Sequence, residues 1–175
     1  MSKSTPEHIQ LPLFDTVEIP LTKGKTAIVD AIDSDLLSLR WRARLNKSGN
    51  RFYANRSPRH RKTMEMHRII LERKLGRPLE TGEECDHIDN NSLNNCRSNL
   101  RLATHKQNTR NSKRRINNTS GYKGVSLNKQ SRKWQASIVV DGKQLYLGLY
   151  PSASEAYQAY CEASKKYHGE FGRIK

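Results

Sequence analysis

Between Cys85 and Asn108 the chain places two carboxylates, two imidazoles and six asparagines, with too little apolar material to close a core of its own. Such a stretch folds only if flanking elements hold it. Asn and Asp tolerate left-handed backbone and bond their own main chain. The segment "LETGEECDHIDNN" therefore reads as a strand running through Cys85 and His87 into a turn. "NLRLA" reads as the return strand, and Thr104 as the N-cap of the helix "HKQNTRNSKRR". The order is strand, loop, strand, helix.

The flanks carry clearer periodicity. "TMEMHRIILERKLG" spaces Met64, Met66, Ile69, Ile70 and Leu75 as a helix does, with Gly76 as its stop and Pro78 barring continuation. Further upstream, "TVEIPLTKGKTAIVDAID" offers short β-type runs broken by Pro20 and Gly24, and a short helical turn then leads into a hairpin. There Trp41, Ala43 and Leu45 alternate with Arg40, Arg42 and Arg44, and Phe52 returns after the Ser48-Gly49-Asn50 turn. The basic row is a solvated sheet face or, alternatively, a contact to DNA backbone. Downstream of the linker at Asn117–Gly121, "YKGVSLN", "KWQASIVV" and "KQLYLGLY" are strand candidates, the last two joined through Asp141-Gly142. Trp134, Ala136, Ile138 and Val140 face one way, with Leu145, Leu147 and Leu149 as the matching row. A final helix opens with a Ser152/Glu155 capping box, ends at Gly169 and carries the stripe Ala153, Ala156, Tyr157, Tyr160, Ala163 and Tyr167.

Charge narrows the partners. Lys and Arg number 32 against 17 Asp and Glu, a formal charge of +15 that points to a polyanion. Asn90–Val140 contains no acid but has eleven Lys or Arg between Arg97 and Lys133, whereas residues 1–50 are nearly neutral. The positive field belongs to the middle of the chain. At 175 residues the chain suits one medium domain or two small ones, and its motifs favour two. No apolar run is long enough to cross a bilayer and the N-terminus lacks a signal-peptide core, so the protein is expected to be soluble and to stay where it is made. Three cysteines without a C-x-x-C pair read as reduced thiols.

Hydrolysis of a phosphodiester needs a cation on the phosphate and leaving oxygens, and a base for the attacking water. Carboxylate and amide oxygens hold magnesium-like ions, and a neutral imidazole can serve as base. Asp86 and His87 are adjacent and on a strand face opposite ways, so serving one phosphate asks for a bend there. The set Asp86-His87-Ile88, Asn94-Asn95, Arg97-Ser98-Asn99-Leu100-Arg101 and Asn108 resembles the HNH nuclease motif, in particular that of phage and intron homing endonucleases. Met66-His67-Arg68 resembles that group's preceding helix. The resemblance implies a ββα-metal finger in which Asp86 and Asn108 bind one Mg2+ or Mn2+, His87 is the general base and Asn99 braces the loop holding it. Asn108 stands where many members have a third histidine, a departure shared with the homing group. His67, Arg68, Arg97, Arg101, Lys113, Arg114 and Arg115 are the accompanying DNA-binding candidates, while His67 reads equally well as a buried, hydrogen-bonded helix residue. His105 and Asp89 read as a surface side chain and a turn residue.

From about Ser120 to Phe171 the chain resembles the DNA-binding domain of plant ethylene-response factors, through Tyr122-Lys123-Gly124-Val125, Lys133-Trp134, Tyr146-Leu147-Gly148 and Glu155-Ala156. That family sets the exposed face of a three-stranded sheet in the major groove, which implies contacts by Lys123, Ser126, Asn128, Gln135, Ser137 and Tyr146. The fold expected is α+β: a β-rich segment over 1–60, a nuclease domain over 61–116 and a DNA-binding domain over 117–175. The function expected is a metal-dependent homing endonuclease acting as a monomer on double-stranded DNA, in the cytoplasm of a bacterial or phage-infected cell. The alternatives are a noncatalytic DNA-binding regulator that keeps the finger as scaffold, and an RNA-binding protein.

Overall fold

The computed structural model describes residues 15–47, 49–58, 63–112 and 117–174; Lys113, Arg114 and Arg115 lie outside the described residues. The chain divides into two compact units, 1–81 with 87–102 and 82–86 with 103–175. The boundary between them crosses the chain inside two strands.

In the first unit β1 (Thr16–Pro20) and β2 (Thr26–Asp30) form an antiparallel hairpin. A 3-10 segment, Ala31–Ser38, buries Leu36, and Trp41 Nε1 donates to Leu36 O at 2.9 Å. Next, β3 (Arg42–Leu45) pairs with β4 (Phe52–Arg56), and β5 (Met64–Glu65) adds to β4. The predicted alternation holds for Trp41 and Ala43, which are buried with Ala54. Leu45, at the margin of the sheet, is 39% exposed. Helix α1 (Met66–Leu75) ends at Gly76 in the left-handed region, φ 68°, as the glycine stop predicts. Its buried stripe is Met66, Ile70 and Leu71, because Met64 is taken into β5 and Leu75 lies in the last, exposed turn.

Asp33 ties this unit together. Its carboxylate is fully buried and accepts Arg97 Nε at 2.8 Å, Arg97 Nη2 at 3.0 Å and Arg73 Nη1 at 3.0 Å. Burial alone would raise its pKa, but the hydrogen bonds and charges of Arg97 and Arg73 outweigh it and hold the carboxyl below its ordinary 3.8. The unfolded chain therefore binds the proton first on acidification, so this contribution is complete above the unfolded value and is lost as pH falls through the folded one. Asp33→Asn is expected to cost about 2 kcal/mol at neutral pH and to flatten the acid limb of stability. Urea midpoints followed from neutral to acid pH check both.

Strands β6 (Glu83–His87) and β7 (Leu100–Thr104) form a two-stranded sheet, with a 3-10 turn at Arg97–Asn99 before β7. Helix α2 (His105–Arg110) follows, capped as predicted by Thr104, whose hydroxyl accepts from Gln107 N at 3.3 Å while Gln107 Oε1 accepts from Thr104 N at 2.8 Å. It is shorter than the predicted helix, whose remainder runs into residues outside the description.

In the second unit β8 (Val125–Asn128), β9 (Lys133–Val140) and β10 (Lys143–Tyr150) make an antiparallel sheet with β9 central. Asp141 and Gly142 both have positive φ, 47° and 81°, as a type I′ hairpin turn requires. Helix α3 (Ala153–His168) starts at Ser152, whose hydroxyl accepts from Glu155 N at 3.2 Å. Ala156, Tyr160 and Ala163 pack on Val125, Ala136 and Ile138. Two predicted inner positions are corrected. A bulge between Tyr146 and Gly148 shifts the register of β10, so Leu149 pairs with Gln135 on the outer face and Tyr150 takes the inner place beside Trp134. Tyr167 is exposed, and its place in the stripe goes to His168, whose Nε2 donates to Val139 O at 2.9 Å.

Candidate functional site

His87 ends β6 with its imidazole buried, and its Nε2 lies 3.2 Å from Asn95 Oδ1. Asn95 is fully buried, and its amide nitrogen faces two acceptors, Met66 Sδ and Leu93 O, each at 3.4 Å. Its carbonyl end must therefore face the ring. An oxygen there accepts only from N–H, which puts the histidine proton on Nε2 and the basic lone pair on Nδ1. The ring is also packed by aromatics: His67 at 5.3 Å and Tyr53 at 6.2 Å between centroids, with His67 and Tyr53 5.4 Å apart.

The loop after His87 is cross-braced. Asn99 Nδ2 donates to Asp89 Oδ1 at 3.0 Å and Asn94 O at 2.7 Å, Asn99 Oδ1 accepts from Asp89 N at 3.0 Å, and Ile88 N donates to Asn99 O at 2.9 Å. Asp89 also accepts from Asn91 N at 2.7 Å and Asn94 Nδ2 at 2.9 Å, a turn hub. Asn90 takes φ 62°, the left-handed step such a turn needs. Residues of the N-terminal segment hold this loop from outside. Ile28 N donates to Leu93 O at 2.8 Å, Asn95 N to Ile28 O at 2.7 Å, Arg97 N to Asp30 Oδ2 at 2.6 Å, Ser92 Oγ to Phe52 O at 2.6 Å and Arg51 Nη2 to Asn90 Oδ1 at 2.8 Å.

Within the second unit, Asp86 is buried and both its oxygens accept from Asn111 Nδ2, at 2.9 and 3.1 Å. Asn108 Nδ2 donates to Glu84 Oε2 at 2.7 Å, and His105 Nδ1 lies 2.8 Å from Glu84 Oε1. A carboxylate accepts only, so Glu84 turns the amide nitrogen of Asn108 toward itself and leaves the carbonyl oxygen as the end that can meet a cation. Glu84 and Asp86 share one face of β6 by their spacing.

Several of the candidate DNA contacts have partners within the chain. Arg97 makes a bidentate pair with Asp33. His67 is 7% exposed and turned to Glu65 and the ring cluster. Its imidazole beside Glu65 keeps that carboxyl below its ordinary range. Lys123 Nζ donates to Arg110 O at 2.6 Å and Ser112 O at 2.8 Å. Asn128 Oδ1 accepts from Gln130 N and Ser131 N at 3.1 and 3.0 Å, closing the β8–β9 turn. Arg68 is partly exposed, with Glu72 3.9 Å away, and Arg101 is half-buried. Ser126, Gln135, Ser137 and Tyr146 share the sheet face opposite Ala136 and Ile138, paired as Ser126↔Gln135 and Tyr146↔Ser137. Sequence reasoning missed Asn95 as partner of His87, together with Glu84, Asn111 and Tyr53; the signals available were the i, i+2 step from Glu84 to Asp86 and the i, i+3 step from Asn108 to Asn111.

Residues 65–110 match the HNH endonuclease family and form an HNH endonuclease domain. Over 131 residues, 75% of this chain, the sequence is 34% identical to Protein 3.8 of Escherichia phage T7, all of whose length is covered. The chain belongs to the same family as that phage protein. It is also 35% identical over 108 residues, 62% of this chain, to a protein of Acanthamoeba polyphaga mimivirus named as an uncharacterized HNH endonuclease, of whose length the match covers 55%. No solved structure matches the chain significantly. None of the described helices is long and apolar enough to cross a membrane.

Proposed function

We propose that this chain is a divalent-cation-dependent endonuclease of the phage and intron homing type that hydrolyses double-stranded DNA, with His87 as general base in a ββα-metal finger. The observation that carries this reading is the pairing of Asn95 Oδ1 with His87 Nε2, which presets the tautomer a base needs. Asp86 and Asn108 offer a buried carboxylate and an oriented amide oxygen, a hard donor set that suits Mg2+ or Mn2+. Among the described residues no group of three His, Cys, Asp or Glu side chains is arranged to hold a metal. A partial protein shell fits an ion that keeps waters and takes phosphate oxygens better than it fits a closed zinc cage. Bound there, the ion supplies charge to the phosphate and the leaving oxygen.

The chain's own part is positional. Nδ1 of His87 takes the proton of the attacking water while Asn95 steadies the resulting imidazolium through Nε2. Asn99 keeps the loop from swinging the ring, and Asp86 belongs to the residue immediately preceding the base. Glu84 fixes which end of Asn108 faces the ion. Glu84→Ala is accordingly expected to weaken Mn2+ binding about tenfold, read by electron paramagnetic resonance of free Mn2+. The outer sheet face of the second unit, with Ser126, Gln135, Ser137 and Tyr146, would read base edges in the manner of ethylene-response factors. Two unlike modules suit a monomer on a nonpalindromic site.

Incubation of supercoiled plasmid or phage DNA with the protein and Mg2+ or Mn2+, with an EDTA control, tests the reading. Nicked or linear product in metal alone is expected. Binding without a cut in either metal would overturn it in favour of the noncatalytic regulator.

A further inference from the structure

The N-terminal sheet carries an arginine row that the steps above do not use. β3 reads Arg42-Ala43-Arg44-Leu45, and its register with β4 pairs Arg42 with Asn55 and Arg44 with Tyr53. Residues directly opposite on an antiparallel pair share a sheet face, with Cβ atoms about 5 Å apart. Ala43 and Ala54 occupy the other face, buried with Trp41. Arg42 and Arg44 therefore stand on the face that bears Tyr53 and Asn55, and both arginines are exposed.

Tyr53 is the neighbour that matters. Its ring packs on His67 at 5.4 Å and on His87 at 6.2 Å, so the arginine row and the candidate base border one tyrosine within one unit. The His67 ring and, more weakly, the charge of Arg44 hold the Glu65 carboxyl below its ordinary range, so Arg44 stands near this acid. The nearest acid on this face, Glu65, opposite Asn55, is turned to His67 with Oε2 3.4 Å from Nε2. Two exposed guanidinium groups on one strand face present forks that fit phosphate oxygens. The partner this chemistry fits is the sugar-phosphate backbone of DNA.

We propose that Arg42 and Arg44 form a phosphate clamp that seats the DNA backbone flanking the scissile bond beside His87. This rests on the nuclease reading for the word scissile, but the clamp itself is a binding surface and can be measured without cleavage. It gives the N-terminal segment a second task besides bracing the loop: it sets where the duplex lies against the base.

The test measures duplex binding against salt in a His87→Ala background, so that no cutting intervenes. Removing both charges with R42Q/R44Q is expected to weaken binding at least about tenfold and to reduce the slope of log K against log[salt] by about 1.8, since each lost phosphate contact removes about 0.9. R42K/R44K keeps the charge and should restore most of the slope. K23Q/K25Q is the charge-matched control. Lys23 and Lys25 lie over the Phe52 ring at 5.7 and 5.3 Å, and Phe52 faces opposite to Tyr53 along β4. This control should move the slope by less than about half as much. With His87 intact, R42Q/R44Q should raise KM and spare kcat. An unchanged slope in R42Q/R44Q, or an equal change in the lysine control, overturns the clamp even when plasmid cleavage succeeds. Failure of cleavage in every metal with the arginine slope effect intact overturns the nuclease reading and leaves the surface standing. Thermal melts of each variant, expected to match the parent, exclude unfolding as the cause.

Discussion

His87→Ala is expected to lower the single-turnover cleavage rate roughly 10²- to 10⁴-fold, the span removed with a general base, while duplex affinity changes less than about threefold. The imidazole is 6% exposed and engaged by Asn95, Tyr53 and His67, so its removal should delete chemistry without deleting a backbone contact. Added imidazole should return part of the rate to the alanine variant, because the vacated ring site is bordered by two aromatic neighbours. Asn95→Ala should produce a smaller loss with a displaced pH profile, since the ring would then be free to carry its proton on either nitrogen. A His87→Ala protein that cuts at the parent rate would falsify the assignment of the base.

The largest effect on stability is expected at Gly124. Its φ is +74°, and a Cβ built there would lie 2.1 Å from Tyr160 Cδ2 and 2.7 Å from Ser137 O. Ser137 N donates to Gly124 O at 2.9 Å, so the backbone on both sides is fixed. Gly124→Ala combines a left-handed backbone penalty with overpacking against a buried tyrosine, together about 3 kcal/mol. That corresponds to a fall of more than about 10 °C in the melting temperature of a unit this size. Gly142 separates the two costs. Its φ is +81° with nothing within 4 Å of an added Cβ, so Gly142→Ala should cost only about 1 kcal/mol. Equal melting temperatures for the two variants would show that Tyr160 yields and that the close approach is not what demands glycine.

Legibility in the sequence followed the range of the interactions. Turns and helix ends are local, so Asp141-Gly142, Gly76, Thr104 and Ser152 could be placed from residue type alone. The alternation along β9 was equally plain. It failed on β10, because a bulge at Leu147 inserts one residue and inverts every position after it, which periodicity cannot foresee. The partners of charged side chains are harder still to foresee. Arg97 pairs with Asp33, 64 positions earlier in the chain. Lys123 turns its nitrogen to the carbonyls of Arg110 and Ser112, 13 and 11 positions before it. In the site, the motif spacing led to Asp86, His87, Asn99 and Asn108. Glu84 and Asn111 stand two and three positions from Asp86 and Asn108, a weak local signal, whereas Tyr53 meets His87 through a pairing that no spacing announces.

The reach of Lys123 has a consequence for how this polypeptide can be divided. Helix α2 spans six residues, too short to persist by itself in water. Its amino end is closed by Thr104 and Gln107, but the carbonyls of Arg110 and Ser112 are met by an ammonium supplied from the beginning of the following module. Excision of the HNH segment at the linker would strip that clasp from the helix carrying Asn108. Helix α2 and the sheet that follows it share one fastening within the second unit and cannot be parted without exposing those carbonyls.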